Sequence, residues 1–158
     1  MTVPDQKPDR PGVLAPPPLL FAVVLAVGVL LEWALPVADL PTTPALAIGA
    51  ALFAAGSALG IWFLGTFRGA GTPVDVSKPT ERIVTWGPFR LTRNPGYVSL
   101  TVMYAGLAIA AESIWAIILL PAVVHLVRHT VIEREERYLE RKFGDEYLSY
   151  KMRTRRWV

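Results

Sequence analysis

Two groups of charged residues could together bind a small ligand that carries both an anionic and a cationic group. In the first group, Arg90 and Arg93 stand directly before Asn94 and Pro95. Asparagine is a favoured N-cap, and proline suits the first helical position because its missing N–H would have no intrahelical partner there. The sequence therefore predicts a helix that begins at Asn94-Pro95. The free N–H groups and the dipole of this helix end favour an anion, and the two arginines would help to bind it.

The second group consists of His129, Glu133, Glu135 and Glu136. On a helix, His129, Glu133 and Glu136 share one face, since residues three, four or seven apart lie one above another. Their carboxylates would bind the amino or hydroxyl groups of a ligand whose carboxylate is held by the arginines. The alternative is that these glutamates and arginines pair with each other on a solvated helix, as most charge runs do. The residues alone leave both interpretations open.

The composition indicates a membrane protein. The chain has 158 residues, about the length of one domain, but 53% of them are hydrophobic, and the mean hydropathy is +0.39. It contains no cysteine, which excludes disulfides, thiolate metal ligands and a cysteine nucleophile. With only two histidines, a zinc site is not expected. We expect neither a metal ion nor a nucleic acid as a partner.

The order of apolar and polar segments predicts an all-α integral membrane helical bundle. The segment 1–18 is rich in proline and is expected to be a disordered tail. A polar loop, 68–94, joins the second span to the third, and the charge-dense segment 132–155 predicts cytoplasmic amphipathic helices with a break at Gly144. Residues 19–158 are expected to form a single membrane domain. Four apolar segments have the length expected of transmembrane helices: about 19–35, 44–67, 95–111 and 114–131.

Three local features refine this prediction. Gly56 and Gly60 have the spacing that lets a second helix approach closely, although the match is weak in a glycine-rich span. Pro121 is expected to kink the fourth helix or to open its backbone hydrogen bonds. The first span could instead be a signal peptide, but the sequence at 36–38 is a poor cleavage site.

The distribution of positive charge predicts the topology. All 16 lysines and arginines fall in the N-terminal tail, in the loop 68–93 or in the segment that begins at Arg128. With four spans, these three regions lie on the same side of the membrane. The positive-inside rule makes that side the cytoplasm, so both termini are expected there. The two groups of charged residues would then meet at one face of the bundle.

Two motifs resemble those of a known enzyme family. The first, GPFRLTRNPGY at 87–97, is followed by EREERYLERKFGDEYLSYKMR at 133–153. Together they resemble the isoprenylcysteine carboxyl methyltransferase family and its relatives among the phospholipid methyltransferases. The family pattern is GPYR, then R-(H/N)-P-x-Y at the start of a membrane helix, then paired glutamates before FGxEYxxY. The resemblance covers residues 66–158, and it is specific for the superfamily but not for the substrate.

Some positions depart from that pattern. Phe89 replaces the commoner tyrosine, Asn94 replaces the histidine of the isoprenylcysteine enzymes, and Gly96 replaces a bulkier residue. Asn94 and the short chain are closer to small prokaryotic relatives than to the eukaryotic enzyme. The expected location is therefore a bacterial inner membrane.

The resemblance implies a methyltransferase that uses S-adenosylmethionine, whose carboxylate and amino groups suit the two charged groups. It implies Glu136 as the favoured carboxylate for the cofactor and His129, with Glu133, as the basic group near the reaction centre. The residues expected to bind the cofactor come from both motifs: Gly87, Arg90, Arg93, Asn94, Pro95, Tyr97, Glu135 and Glu136.

The implied reaction is a direct displacement in which an acceptor attacks the methyl carbon of a sulfonium. The protein would align donor and acceptor, exclude water and supply at most one base. A membrane site suits a lipidic or small hydrophobic acceptor, as in the isoprenylcysteine enzymes, and membrane lipids would be partners. One alternative is a phospholipid amine as acceptor. The other is a non-catalytic scaffold or transporter subunit, although no span carries the central charge that transport usually needs.

Overall fold

The computed structural model describes residues 16–37, 41–71 and 82–158. Every regular element in these ranges is helical, so the predicted all-α fold is confirmed. The elements, in chain order, are α1 (Pro17–Ala34), α2 (Thr42–Ala70), a 3₁₀ turn (Gly87–Arg90), α3 (Pro95–Ala110), α4 (Ile114–Val127), a π-helical turn (Arg128–Ile132), α5 (Glu133–Phe143) and α6 (Asp145–Arg153).

Three of these helical stretches are long and apolar enough to cross a membrane: α1, α2 and the continuous run Ile114–Phe143. The fourth apolar helix, α3, has only 16 residues. At about 1.5 Å per residue it is about 24 Å long, somewhat less than the roughly 30 Å of a hydrocarbon core. The predicted membrane bundle is therefore confirmed, and α3 is shorter than the three stretches that can cross a membrane.

The structure also corrects the expected boundaries. The tail was expected to extend to residue 18, but α1 begins at Pro17, because prolines are accommodated at the first helical positions. The fourth helix continues through Pro121 and then widens into the π-helical turn, which the hydropathy pattern did not predict. Residues 1–15, 38–40 and 72–81 lie outside the described part of the chain. Most of the predicted tail and much of the predicted loop 68–94 fall there.

The apolar helices pack in two pairs, α2 with α3 and α1 with α4, and α3 also contacts α1 and α4. Between α2 and α3 the backbones come very close. A Cβ added at Gly106 would lie 2.6 Å from the Phe53 nitrogen and 2.7 Å from the Gly49 oxygen. The predicted approach at Gly56 is confirmed, because the Ser99 hydroxyl donates a hydrogen bond to the Gly56 carbonyl oxygen at 2.8 Å.

Polar contacts join α1 to the start of α4. The Ser113 hydroxyl oxygen accepts a hydrogen bond from the Ala116 N–H at 3.1 Å and donates one to the Gly28 carbonyl at 3.1 Å. The Glu32 carboxylate accepts a hydrogen bond from the Trp115 N–H at 3.1 Å. Side chains therefore satisfy N–H groups that the first turn of a helix leaves without intrahelical partners.

The last two helices fold back over the loop that precedes α3. The predicted break at Gly144 is confirmed, since α5 ends there and α6 follows. Tyr147 and Tyr150 are buried in a cluster with Phe89, and the Tyr150 hydroxyl donates a hydrogen bond to the Phe89 carbonyl at 2.8 Å. Because α6 packs on this loop, the two sequence motifs form one structural unit.

We predict that Gly106→Ala lowers the free energy of unfolding in detergent by about 1–3 kcal/mol, because the added methyl group would press on the backbone of α2. The melting temperature should fall accordingly. Gly65→Ala is the matched control. Gly65 also lies within a helix, but no atom stands within 4 Å of an added Cβ there. Its replacement should leave stability unchanged or raise it, since alanine favours a helix. Equal melting temperatures for the two variants would show that the close approach is not required.

Candidate active site

The loop before α3 is shaped by its contact with α2. Gly87 begins the 3₁₀ turn with a φ of 63°, a conformation that side chains other than glycine rarely adopt. A Cβ at this position would also lie 2.7 Å from the Thr66 hydroxyl oxygen. Both the dihedral angle and the space therefore require glycine. In the described structure, Gly87 has a packing role, and its predicted contact with a cofactor stays a prediction.

Residues 92–94 are bound to the end of the chain. We call residues 154–158 the strap. The Arg93 N–H donates a hydrogen bond to the Arg155 carbonyl at 2.9 Å. The Thr92 hydroxyl and the Asn94 side-chain amide both donate to the Arg156 carbonyl, at 2.8 Å and 3.0 Å. These bonds connect the start of α3 to a segment about sixty residues later.

The structure corrects the expected role of Asn94. It directly precedes α3, as predicted, but its side chain makes no capping hydrogen bond to the helix. The side-chain amide instead donates to the Arg156 carbonyl. A cap would need the side-chain oxygen to accept a hydrogen bond from the first turn of α3. The bond that the amide nitrogen donates to the strap orients the side chain instead, so tertiary structure overrides the local preference.

A buried carboxylate lies between two arginines at the centre of the site. The Glu136 side chain is only 7% exposed. Arg156 binds both of its oxygens, with Nε donating to Oε1 at 3.0 Å and Nη2 donating to Oε2 at 2.6 Å. Arg93 approaches from the other motif, with its Nη2 at 3.4 Å from Oε1. The glutamate and the arginines therefore do pair, as the alternative interpretation expected, but the pair is buried rather than solvated.

The Arg93 guanidinium is not fully satisfied by this pairing. Its side chain is 8% exposed, and its Nε and Nη1 atoms are buried without a hydrogen-bond partner among the described residues. Leaving charged donors buried and unpaired is unfavourable by about 1–3 kcal/mol or more. Arg93 is therefore a buried cation whose donors the Glu136 carboxylate uses only in part. The arrangement is suited to binding an anion.

A second contact joins the two motifs. The Tyr97 hydroxyl, in the first turn of α3, donates a hydrogen bond to Glu135 Oε2 at 2.9 Å. Pro95, two residues earlier, is buried at the start of the same helix. The prediction that the helix beginning at Asn94-Pro95 meets the helix carrying the glutamates is confirmed.

The predicted basic group lies at the edge of this cluster. His129 Nδ1 is 3.1 Å from Glu133 Oε2, and the His129 side chain is 46% exposed. Arg156 Nη1 lies 3.9 Å from Glu133 Oε1, so the same arginine contacts Glu133 and Glu136. Arg156 thereby links Glu133 to Glu136, and Glu133 in turn contacts His129. Arg90 is exposed, unlike Arg93, and its role in ligand binding stays a prediction.

Sequence reasoning missed several residues of this cluster, above all Arg156. The hydrogen bond to Glu136 raises the pKa of Arg156, so this side chain stays protonated. Burial and the nearby Glu136 carboxylate raise the pKa of Tyr147, so its hydroxyl stays protonated. In the sequence, Arg155-Arg156-Trp157 looks like an ordinary basic tail. Its spacing from Glu136 carries no periodic signal that would predict the pair.

Comparison with known proteins gives one family match. Residues 44–146, more than half of the 158-residue chain, match the family model of phospholipid methyltransferase. An uncharacterized protein of Haemophilus influenzae is 67% identical over 27 residues, which are 17% of this chain and 43% of that protein. The chain therefore spans less than half the length of this curated relative. No solved structure matches the chain.

Proposed function

The chain belongs to the phospholipid methyltransferase family, and on that premise we propose that it is an integral membrane methyltransferase that uses S-adenosylmethionine. The observation that supports this proposal best is the pair of buried, unpartnered donor atoms on Arg93. They lie beside the N-terminus of α3, where a helix also favours negative charge. These residues fit the carboxylate of an amino-acid moiety. When bound, S-adenosylmethionine supplies an electrophilic methyl group on a positively charged sulfur.

We assign the predicted cofactor residues from their contacts. Arg93 binds the carboxylate through its unpartnered donors. Glu135, which is held by Tyr97, is the carboxylate that binds the ammonium group, because both oxygens of Glu136 are already paired with arginine. Glu136 then acts through Arg93. Gly87, Asn94 and Pro95 shape the loop and the helix start that carry Arg93, and Arg90 is the further arginine proposed to contact the ligand.

His129 and Glu133 are the proposed catalytic pair. With Nδ1 directed at Glu133, the other ring nitrogen, Nε2, is the one that accepts a proton from the substrate. Such a base is needed when the acceptor is a phospholipid amine, because an ammonium group must lose a proton before it can attack. The carboxylate of an isoprenylcysteine is already ionised and needs no base.

The acceptor is proposed to be a lipidic or small hydrophobic molecule. A molecule with an apolar tail reaches the site from within the bilayer, whereas the charged donor reaches it from water. An isoprenylcysteine carboxylate and a phospholipid amine both meet this description. The family match favours the amine, and the motifs at 87–97 and 133–153 favour an enzyme that resembles the isoprenylcysteine methyltransferases.

We further propose that the chain from the start of α1 onward forms one domain in a bacterial inner membrane, with both termini in the cytoplasm. The one-sided distribution of the 16 lysines and arginines supports this topology. Fusions of an alkaline phosphatase reporter to each terminus should be inactive, because that enzyme works only outside the cytoplasm. An active fusion at either end would contradict the orientation.

We predict that the purified protein binds S-adenosylhomocysteine and that Arg93→Gln weakens binding roughly ten- to a hundredfold. This range corresponds to losing a charge-assisted hydrogen bond of about 1.5–3 kcal/mol. Arg141→Gln, a change of the same type at an exposed position of α5, should bind like wild type. Titration calorimetry in detergent gives the affinities, after thermal unfolding has confirmed that each variant is folded.

Two results would count against this assignment in different ways. Equal affinities for wild type and Arg93→Gln would remove Arg93 from the ligand site. Failure of the folded wild-type protein to bind S-adenosylhomocysteine would favour the alternative of a non-catalytic scaffold or transporter subunit.

We predict that His129→Gln lowers kcat about a hundredfold or more with a phospholipid amine as acceptor, since the positioned base is lost. The KM for S-adenosylmethionine should change little. His125→Gln is the matched control, because its ring neighbours that of His129 at 4.4 Å between centroids but does not contact Glu133. Transfer of labelled methyl groups is measured in vesicles with phosphatidylethanolamine and, separately, with farnesylcysteine.

The two acceptors separate the candidate substrates. Transfer to phosphatidylethanolamine that depends on His129 supports a phospholipid amine. Equal transfer to farnesylcysteine by wild type and His129→Gln supports a carboxylate acceptor and shows that His129 has no catalytic role.

A further inference from the structure

Arg156 holds both motifs at once. Its backbone carbonyl accepts hydrogen bonds from Thr92 and Asn94, and its guanidinium binds the Glu136 carboxylate. The next residue, Trp157, packs against the apolar cluster that contains the buried Ile132. The strap therefore belongs to the site, although it lies beyond residue 146, where the family match ends.

The contacts of Arg156 determine how Glu136 faces Arg93. A guanidinium that binds both oxygens of a carboxylate fixes its plane as well as its position. Held in this way, Glu136 contacts Arg93 only through Oε1 and Nη2, at 3.4 Å. Without Arg156, the carboxylate would be free to turn and pair with the Arg93 donors that now have no partner.

We propose that Arg156 is a positioning residue for the ligand site, which keeps Glu136 from neutralising Arg93 and so leaves Arg93 available for the carboxylate of the ligand. This inference rests on the proposed function, because that carboxylate belongs to the methionine part of the cofactor. The strap thus contributes to ligand selectivity through Arg93, without a contact of its own to the ligand.

A competing role for Arg156, in which it occupies the place of a ligand group on Glu136, has a different consequence. An arginine on Glu136 occupies a position that the ammonium group of a ligand would suit. If the ligand had to displace Arg156, removing this arginine would raise the affinity. If Arg156 positions Arg93, removing it lowers the affinity. The sign of the change therefore distinguishes the two roles.

The test compares two probes on the full-length protein in detergent. S-adenosylhomocysteine carries the amino-acid carboxylate, whereas methylthioadenosine has the same nucleoside and sulfur but lacks the amino acid. Arg156→Gln should weaken the binding of S-adenosylhomocysteine about tenfold and leave that of methylthioadenosine unchanged. A general loss of structure would weaken both. Arg153→Gln is the matched control, because Arg153 is exposed and contacts only the Ser149 carbonyl, at 3.1 Å, among the described residues.

Arg156→Lys provides a second variant in case Arg156→Gln does not fold. Lysine keeps the charge but cannot bind both carboxylate oxygens in the planar geometry of arginine. It should therefore also weaken S-adenosylhomocysteine binding selectively, by severalfold. A folded Arg156→Lys protein with wild-type affinity would overturn the proposal, because the two-oxygen contact would then be unnecessary.

The remaining outcomes are equally decisive. Tighter binding by Arg156→Gln would show competition with the ligand and overturn the positioning role, as would an equal loss for both probes. If the folded wild-type protein binds neither probe, the proposed function fails. If wild type binds S-adenosylhomocysteine and Arg156→Gln does so equally well, only the inference about Arg156 fails.

Discussion

The burial of Glu136 is the constraint on which the site depends. A carboxylate that is 7% exposed must be paired, because removing one partner from a buried ion pair costs about 3–5 kcal/mol. The two partners come from the loop before α3 and from the strap. Three segments that are distant in sequence must therefore assemble before this charge is compensated. The apolar helices only have to bring their ends to the same face of the bundle.

Packing explains why these ends meet accurately. Gly106 brings the backbones of α2 and α3 close together, and the Ser99 hydroxyl bonds the Gly56 carbonyl nearer the start of α3. Gly87 sets the preceding turn against Thr66 of α2, and Tyr150 of α6 bonds the same turn from the other side. The loop is thus held between a membrane helix and a helix of the charged segment. Arg93 follows this turn, and its backbone N–H is bound to the Arg155 carbonyl while its side chain contacts Glu136.

The helices and the approximate site were predictable, but the connections within the site were not. Apolar segments of spanning length are a strong signal, and a proline after asparagine correctly predicted the start of α3. Arg156 gave no comparable signal, because its bonds to Thr92 and Glu136 depend on how the strap crosses the site. Asn94 was assigned as a cap by local preference, and a tertiary bond overrode it. The π-helical turn Arg128–Ile132 is also invisible to hydropathy, because one extra residue per turn leaves the composition unchanged.

The sequence left two interpretations of its charged residues open, a solvated set of ion pairs or a ligand site, and the structure shows why neither alone describes the cluster. Glu136 does pair with arginine, yet the pairing satisfies the carboxylate and not Arg93. Arg156 lies near both Glu136 and Glu133. Arg93, by contrast, approaches Glu136 at 3.4 Å and keeps two donors without a partner in the described part of the chain. A second carboxylate buried against Arg93 would pair with its remaining donors, and the cluster would then have a purely structural role. The described residues leave Arg93 with two unpartnered donors. The pairing of Glu136 with Arg156 therefore leaves Arg93 able to bind an anion from outside the protein.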